Sequence, residues 1–128
     1  MAVTSGAAQL VVEIYVRDLE RSVAFYRALG FQLVRRTGGF AVLDWDGHAL
    51  FLDEKRDLAE LQGGERANVR ILVADVDALW HRVGAVGARV TAPIADRDYG
   101  LRDFTVLDPD GFGLRFASWL ATPLRGVG

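Results

Sequence analysis

Glu13 and Arg70 occupy matching places in two copies of one sequence pattern, 57 residues apart. A carboxylate and a guanidinium are each costly to bury alone and tolerable together. Two readings of the pair stay open. It is either a structural ion pair on a filled sheet surface, or a polar site where Arg70 orients a ligand and Glu13 is the proton acceptor at hand. Other chemistries lack their residues. The absence of cysteine removes disulfides, thiolate zinc sites and a cysteine nucleophile. His48 flanks a turn, and His81 lies off the apolar stripe of its helix, so both read as surface residues. No Gly-rich phosphate loop joins a strand to a helix, and no Ser-His-Asp set can be assembled. The acidic stretches Asp53-Glu54 and Asp96-Arg97-Asp98 lack calcium-loop spacing and read as solvated loop charge.

The elements that must position such a pair come from an internal duplication. Asp108-Pro109-Asp110-Gly111 satisfies a type I turn at each position, with alternating apolar residues on both sides, so a β-hairpin is expected. Shifted back by 64, Phe104–Phe116 lies over Phe40–Leu52 with seven of thirteen positions identical. This puts Trp45 at the place of Pro109, in an equivalent turn. At a shift of 57, Val12, Ile14, Val16, Asp18, Ala28 and Gly30 meet identical residues. Each copy reads as a strand (10–16 and 69–73), then a helix opened by Asp18 or Asp75 and closed by Gly30 or Gly87. A further strand follows (31–36, and 89–91 before Pro93), then the hairpin. Two βαβββ modules predict an α+β fold, a curved mixed sheet with helices on its outer face. We place module one at about 9–56, a linker at about 57–66 with a helical turn near 58–61, module two at about 67–118 and a tail at 119–128, all in one domain.

Strand alternation sorts the side chains. Val12, Ile14, Val16 and Val69, Ile71, Val73 are β-branched and belong under the helices. Val11, Glu13, Tyr15 and Asn68, Arg70, Leu72 take the opposite face. Composition bounds the partners. A net charge of −2 with no basic stripe argues against nucleic acid. No apolar run approaches the ~20 residues of a membrane span, and Met1–Gln9 lacks signal-peptide character, so a cytoplasmic protein is expected.

The segment Val16–Phe31, its echo at Asp75-Val76-Asp77-Ala78, and Tyr99–Phe104 followed by Asp108–Gly111 resemble the vicinal oxygen chelate superfamily (glyoxalase, bleomycin-resistance protein, extradiol dioxygenase), with the bleomycin-resistance branch closest. The resemblance implies the glyoxalase/bleomycin-resistance fold, a pocket on the concave face, and a homodimer. It marks Val11, Phe51, Asn68 and Arg115 as the places where metal-dependent members carry ligands. The repeat shifts agree, pairing Val11 with Asn68 and Phe51 with Arg115. None is His, Asp or Glu, and a permanent guanidinium repels a cation, so no metal or other cofactor is expected. The implied ligand-binding set is Glu13, Tyr15, Phe51, Asn68, Arg70, Tyr99 and Arg115, with Tyr15, Phe51 and Tyr99 serving either packing or ligand stacking. Glu13 is expected to pair with Arg70 or Arg115. Arg102 and Asp103 match the bleomycin-resistance motif, and a cross-strand charge pair accounts for them equally well. The leading expectation is a metal-independent protein that holds or sequesters an aromatic or polar organic molecule. The alternatives are a lyase, isomerase or dioxygenase-like enzyme with Glu13 as acid or base, and an assembly domain without a ligand.

Overall fold

The computed structural model describes residues 11–59 and 67–120. Module one runs β1 (Val12–Val16), α1 (Leu19–Leu29), β2 (Gln32–Thr37), β3 (Phe40–Trp45) and β4 (His48–Glu54). Module two runs β5 (Val69–Leu72), α2 (Val76–Val86), β6 (Arg89–Asp96), β7 (Leu101–Leu107) and β8 (Gly113–Trp119). The chain divides into two units between Glu60 and Leu61. Each carries its own four-stranded sheet, ordered β1-β4-β3-β2 and β5-β8-β7-β6, with one parallel pair (β1–β4, β5–β8) and antiparallel neighbours otherwise. This is the expected pair of βαβββ modules. Of the helical turn expected near 58–61, the bond from Leu58 N–H to the Lys55 carbonyl is seen at 3.0 Å, and the rest lies outside the described residues, as does most of the tail.

Both helices start and stop where their sequences say. The Asp18 and Asp75 carboxylates accept from Arg21 N–H and Ala78 N–H, each at 3.1 Å, and Gly30 and Gly87 close the helices at φ 119° and 76°. A second cap comes from the last strand of each module. Glu54 Oε2 accepts from Leu19 N–H at 2.9 Å, and Ser118 Oγ accepts from Val76 N–H at 3.0 Å while donating to the Val73 carbonyl at 2.7 Å. Glu54 and Ser118 are equivalent at the shift of 64, so the device is duplicated although its chemistry is not.

The caps seat each helix on one sheet face. On α1, Leu19, Val23, Tyr26 and Leu29 are buried, as are Ile14, Val16, Leu43 and Leu52 in its sheet, and α1 meets β2, β3 and β4. On α2, Val76, Leu79 and Val83 are buried, as are Ile71, Phe104, Val106 and Phe116, and α2 meets β7 and β8. Trp80 lies in that second core, its ring centroid 5.1 Å from that of Phe104. The expected alternation holds for Ile14, Val16 and Ile71, while Val12, at the start of β1, is 43% exposed.

Two local expectations change. Trp45 does not stand in a turn like Pro109. It pairs with His48 as the last residue of β3, leaving a two-residue loop of Asp46 and Gly47 at φ 48° and 92°. Both angles are positive, as a type I′ connection requires. Pro109 has no N–H to extend a ladder. Module two therefore turns more widely, with Gly111 N–H on the Asp108 carbonyl at 3.0 Å and the Asp108 carboxylate accepting from Asp110 and Phe112 N–H, both at 2.9 Å. Freed from the turn, the Trp45 ring packs 4.8 Å from Phe31. The second change is that β6 runs through Pro93 to Asp96 instead of ending near Thr91. An edge strand tolerates proline, and the register with β7 shifts on either side of Ala92.

The strand-borne caps can be tested directly. Ser118→Ala and Glu54→Ala are each expected to cost about 1 kcal/mol, read as a lower urea midpoint. An unmoved midpoint in either would show that the helix terminus does not depend on that group.

Candidate functional site

In module two the helix-free face of the sheet is built around one carboxylate. Arg70 on β5 and Arg115 on β8 are direct neighbours in the parallel ladder, and Thr105 on β7 is the next neighbour of Arg115. Asp103 lies two residues along β7 from Thr105, on the same face, between the small residues Ala95 and Ala117. Its neighbours leave room for long side chains to close over it, and Asp103 is 1% exposed. The connector from β6 to β7 adds two groups. It is closed by Arg97 N–H on the Leu101 carbonyl at 2.8 Å, with Gly100 at φ 92°, and it returns Arg97 and Tyr99 onto the carboxylate.

The contacts are short and numerous. Asp103 Oδ1 accepts from Arg97 Nε at 2.7 Å. Oδ2 accepts from the Tyr99 hydroxyl at 2.7 Å, from Arg70 Nη1 at 3.1 Å and from Arg115 Nη2 at 3.5 Å. Arg115 Nη2 also donates to the Tyr99 hydroxyl at 2.9 Å. Arg97 Nη2 donates to the carbonyls of Pro93 at 2.6 Å and Asp103 at 3.3 Å, which ties the connector to β6. The Arg70 guanidinium lies 5.7 Å from the centre of the Tyr99 ring, within cation–π range. Burial alone would push the Asp103 carboxyl up, but hydrogen bonds from Tyr99, Arg97 and Arg70 outweigh it and hold its pKa below the ordinary carboxylate value.

Arg70, Tyr99 and Arg115 are thus brought together, but around a different acid from the one expected. The carboxylate paired with both arginines is Asp103, not Glu13. Glu13 is exposed on module one and joins no ion pair among the described residues. Arg102, next in sequence to Asp103, points the other way. It pairs with Asp77 of α2 and with its cross-strand partner Asp96, both at 3.0 Å, and hydrogen bonds to those two acids raise its pKa. Asp77 of the Asp75-Val76-Asp77-Ala78 motif is thereby accounted for. The Asp103 position was legible in one way that sequence reasoning passed over. Pairing β7 with β8 through the Asp108–Gly111 turn sets Thr105 opposite Arg115, so parity places Asp103 on the arginine face.

The equivalent face of module one is aromatic. Glu13 neighbours Phe51 across β1 and β4, the Phe51 ring lies 5.2 Å from Phe40, and Tyr15, 53% exposed, has the Lys55 ammonium 5.3 Å from its ring centre. Asn68 is exposed just before β5, beside Gly113.

A model of the Glyoxalase/Bleomycin resistance protein/Dioxygenase superfamily matches residues 8–116. The chain belongs to this superfamily. Among solved structures, TioX from Micromonospora sp. ML1 is 29% identical, with a TM-score of 0.73 over 89% of this chain and 100% of that one. A glyoxalase/bleomycin resistance protein/dioxygenase from Nocardioides is 26% identical, with a TM-score of 0.75 over 98% and 92%. A bleomycin-binding protein complexed with bleomycin is 23% identical, with a TM-score of 0.72 over 88% and 98%, and shares the fold. No curated protein matches the chain.

The places marked for metal ligands carry the wrong donors for a divalent cation. Val11 and Phe51 offer no donor atom, Asn68 offers a neutral amide, and Arg115 is a cation engaged with Asp103 and Tyr99. Among the described residues no three His, Asp or Glu side chains gather as a metal site.

The buried carboxylate sets the pH response of module two. A carboxyl whose pKa falls on folding stabilises above its ordinary pKa and loses that contribution as pH drops through the lower folded value. Stability is therefore expected to fall below about pH 4, and Asp103→Asn should flatten that limb in a pH series of thermal melts. At neutral pH, Asp103→Ala should cost about 3 kcal/mol, since it leaves three guanidinium groups without their acid. A loss under about 1 kcal/mol would mean that water serves the arginines as well as Asp103 does.

Proposed function

We propose that this chain is a metal-independent small-molecule-binding protein that holds an aromatic or polar organic ligand against the helix-free sheet faces, acting by sequestration. The observation that carries this reading is the fate of Arg115. At a place marked for a metal ligand, its guanidinium bonds Tyr99 and Asp103, so the face offers hydrogen-bond donors and a ring in place of an open coordination position. Glu13, Tyr15 and Phe51 on the face of module one, and Asn68, Arg70, Tyr99 and Arg115 on that of module two, each give a mixture of ring and polar groups of the kind organic ligands use. The bleomycin-binding protein, crystallised with bleomycin, lends support because that protein holds an organic ligand on this fold.

The test is a thermal-shift screen of organic compounds run with and without EDTA. Compounds that raise the melting temperature equally in both conditions support the reading. Elemental analysis finding about one zinc, iron, nickel or manganese per purified chain would overturn it, as would a chelator that lowers the melting temperature.

We further propose a homodimer. A single module buries little surface for its length, and Tyr15, Leu72 and Trp119 are 53%, 50% and 58% exposed in one chain. Light scattering at micromolar concentration should give twice the 14.0 kDa chain mass, and the chain mass itself would contradict the proposal.

A further inference from the structure

Arg70 and Arg115 face each other in register on neighbouring strands. Like charges so placed destabilise a sheet unless something answers them. Asp103 does so only in part. Its Oδ1 accepts from Arg97, and its Oδ2 is shared by Arg70, Tyr99 and Arg115, against roughly two acceptor positions for each oxygen. The donors outnumber that capacity, because each guanidinium carries about five N–H groups. Arg97 uses Nε and Nη2 on Asp103 and the Pro93 carbonyl. Among the described residues, Arg70 hydrogen-bonds only through Nη1 and Arg115 only through Nη2, and the buried Nε of Arg115 has no partner. Three guanidiniums against one carboxylate leave a formal excess of two positive charges. The side chains of Arg70 and Arg115 keep 30% and 31% of their surface exposed.

We infer that Arg70 and Arg115 form a receptor for the carboxylate of an aromatic acid, with the acid's ring against Tyr99. The inference rests on the ligand-binding reading above and names its ligand class. Two adjacent planar forks suit a planar two-oxygen acceptor, and the same pair already holds one such group, Asp103. A second carboxylate would use the idle donors on the exposed part of the two guanidiniums, the buried Arg115 Nε apart, and reduce the excess charge from two to one. Tyr99, 42% exposed, supplies the flat wall. Asp103 and Arg97 are positioning residues: the acid spaces the two receptor guanidiniums, and Arg97 clamps the acid to the connector.

The test is calorimetric titration of the full chain at low salt with benzoate, its neutral isostere benzamide, and inorganic phosphate. Benzoate is expected to bind at least about tenfold more tightly than benzamide and than phosphate. Raising the salt should weaken it. Arg70→Gln and Arg115→Gln should each remove most of that preference. Because Arg115→Gln could unfold module two, the wild-type ratio and Arg70→Gln decide the matter. Equal binding of benzoate and benzamide would overturn the charge assignment while leaving a small-molecule site in place. Phosphate matching benzoate would overturn the aromatic-acid class in favour of a bare oxyanion site. No binding of benzoate up to about 10 mM would end the inference. The proposed function would fall with it only if the organic screen were also empty.

Discussion

A carboxylate with 1% of its surface exposed must be answered by donors, and the helix-free side of module two is arranged to answer Asp103. Arg97 and Tyr99 sit in a connector whose path brings them back over β7. The alanines beside Asp103 in the sheet keep the space clear. Arg70 and Arg115, which would repel one another across β5 and β8, are tolerable neighbours because they share it. Take the acid away and the connector keeps only its backbone anchors, the arginines lose their common partner, and Tyr99 loses the acceptor that fixes its hydroxyl.

Module one shows the same scaffold without that constraint. At the shift of 64 the residue over Asp103 is Gly39, and Phe51 stands where Arg115 does. The face closes with the Phe40 and Phe51 rings instead of a charge network. What the copies keep is the machinery that seats a helix: aspartate and glycine at its ends and a polar side chain from the last strand at its first turn. Duplication has preserved the helix side of each sheet and let the other side diverge, which is where the two modules differ in chemistry.

Most of the fold was legible because its signals are local. Asp18, Gly30, Asp75 and Gly87 mark helix ends with side chains and dihedrals a few residues away, and alternation in β1 and β5 assigns faces without a partner in view. The candidate site was legible only by half. Alternation gave Arg70 its face and the family resemblance added Arg115 and Tyr99 to the set, but Asp103 meets them from 33, 12 and 4 positions away, and its burial depends on all of them at once. Arg97 stands between two aspartates in a stretch that reads as solvated charge, yet its nearest acid is neither of them. Trp45 departs from its repeat partner for the opposite, purely local reason: a tryptophan, which keeps its N–H, extends a ladder that proline cannot.

The path of β6 also governs how this sheet meets other chains. An unpaired outer strand is a template on which a foreign strand can dock and begin aggregation. Pro93 removes one donor from β6, and the shifts around Ala92 break the regular spacing of the rest. An incoming strand finds no continuous ladder there. Among the described residues β6 is an outer strand, and the irregularity that looks like a flaw in it denies that edge the unbroken ladder that fibril-like growth needs.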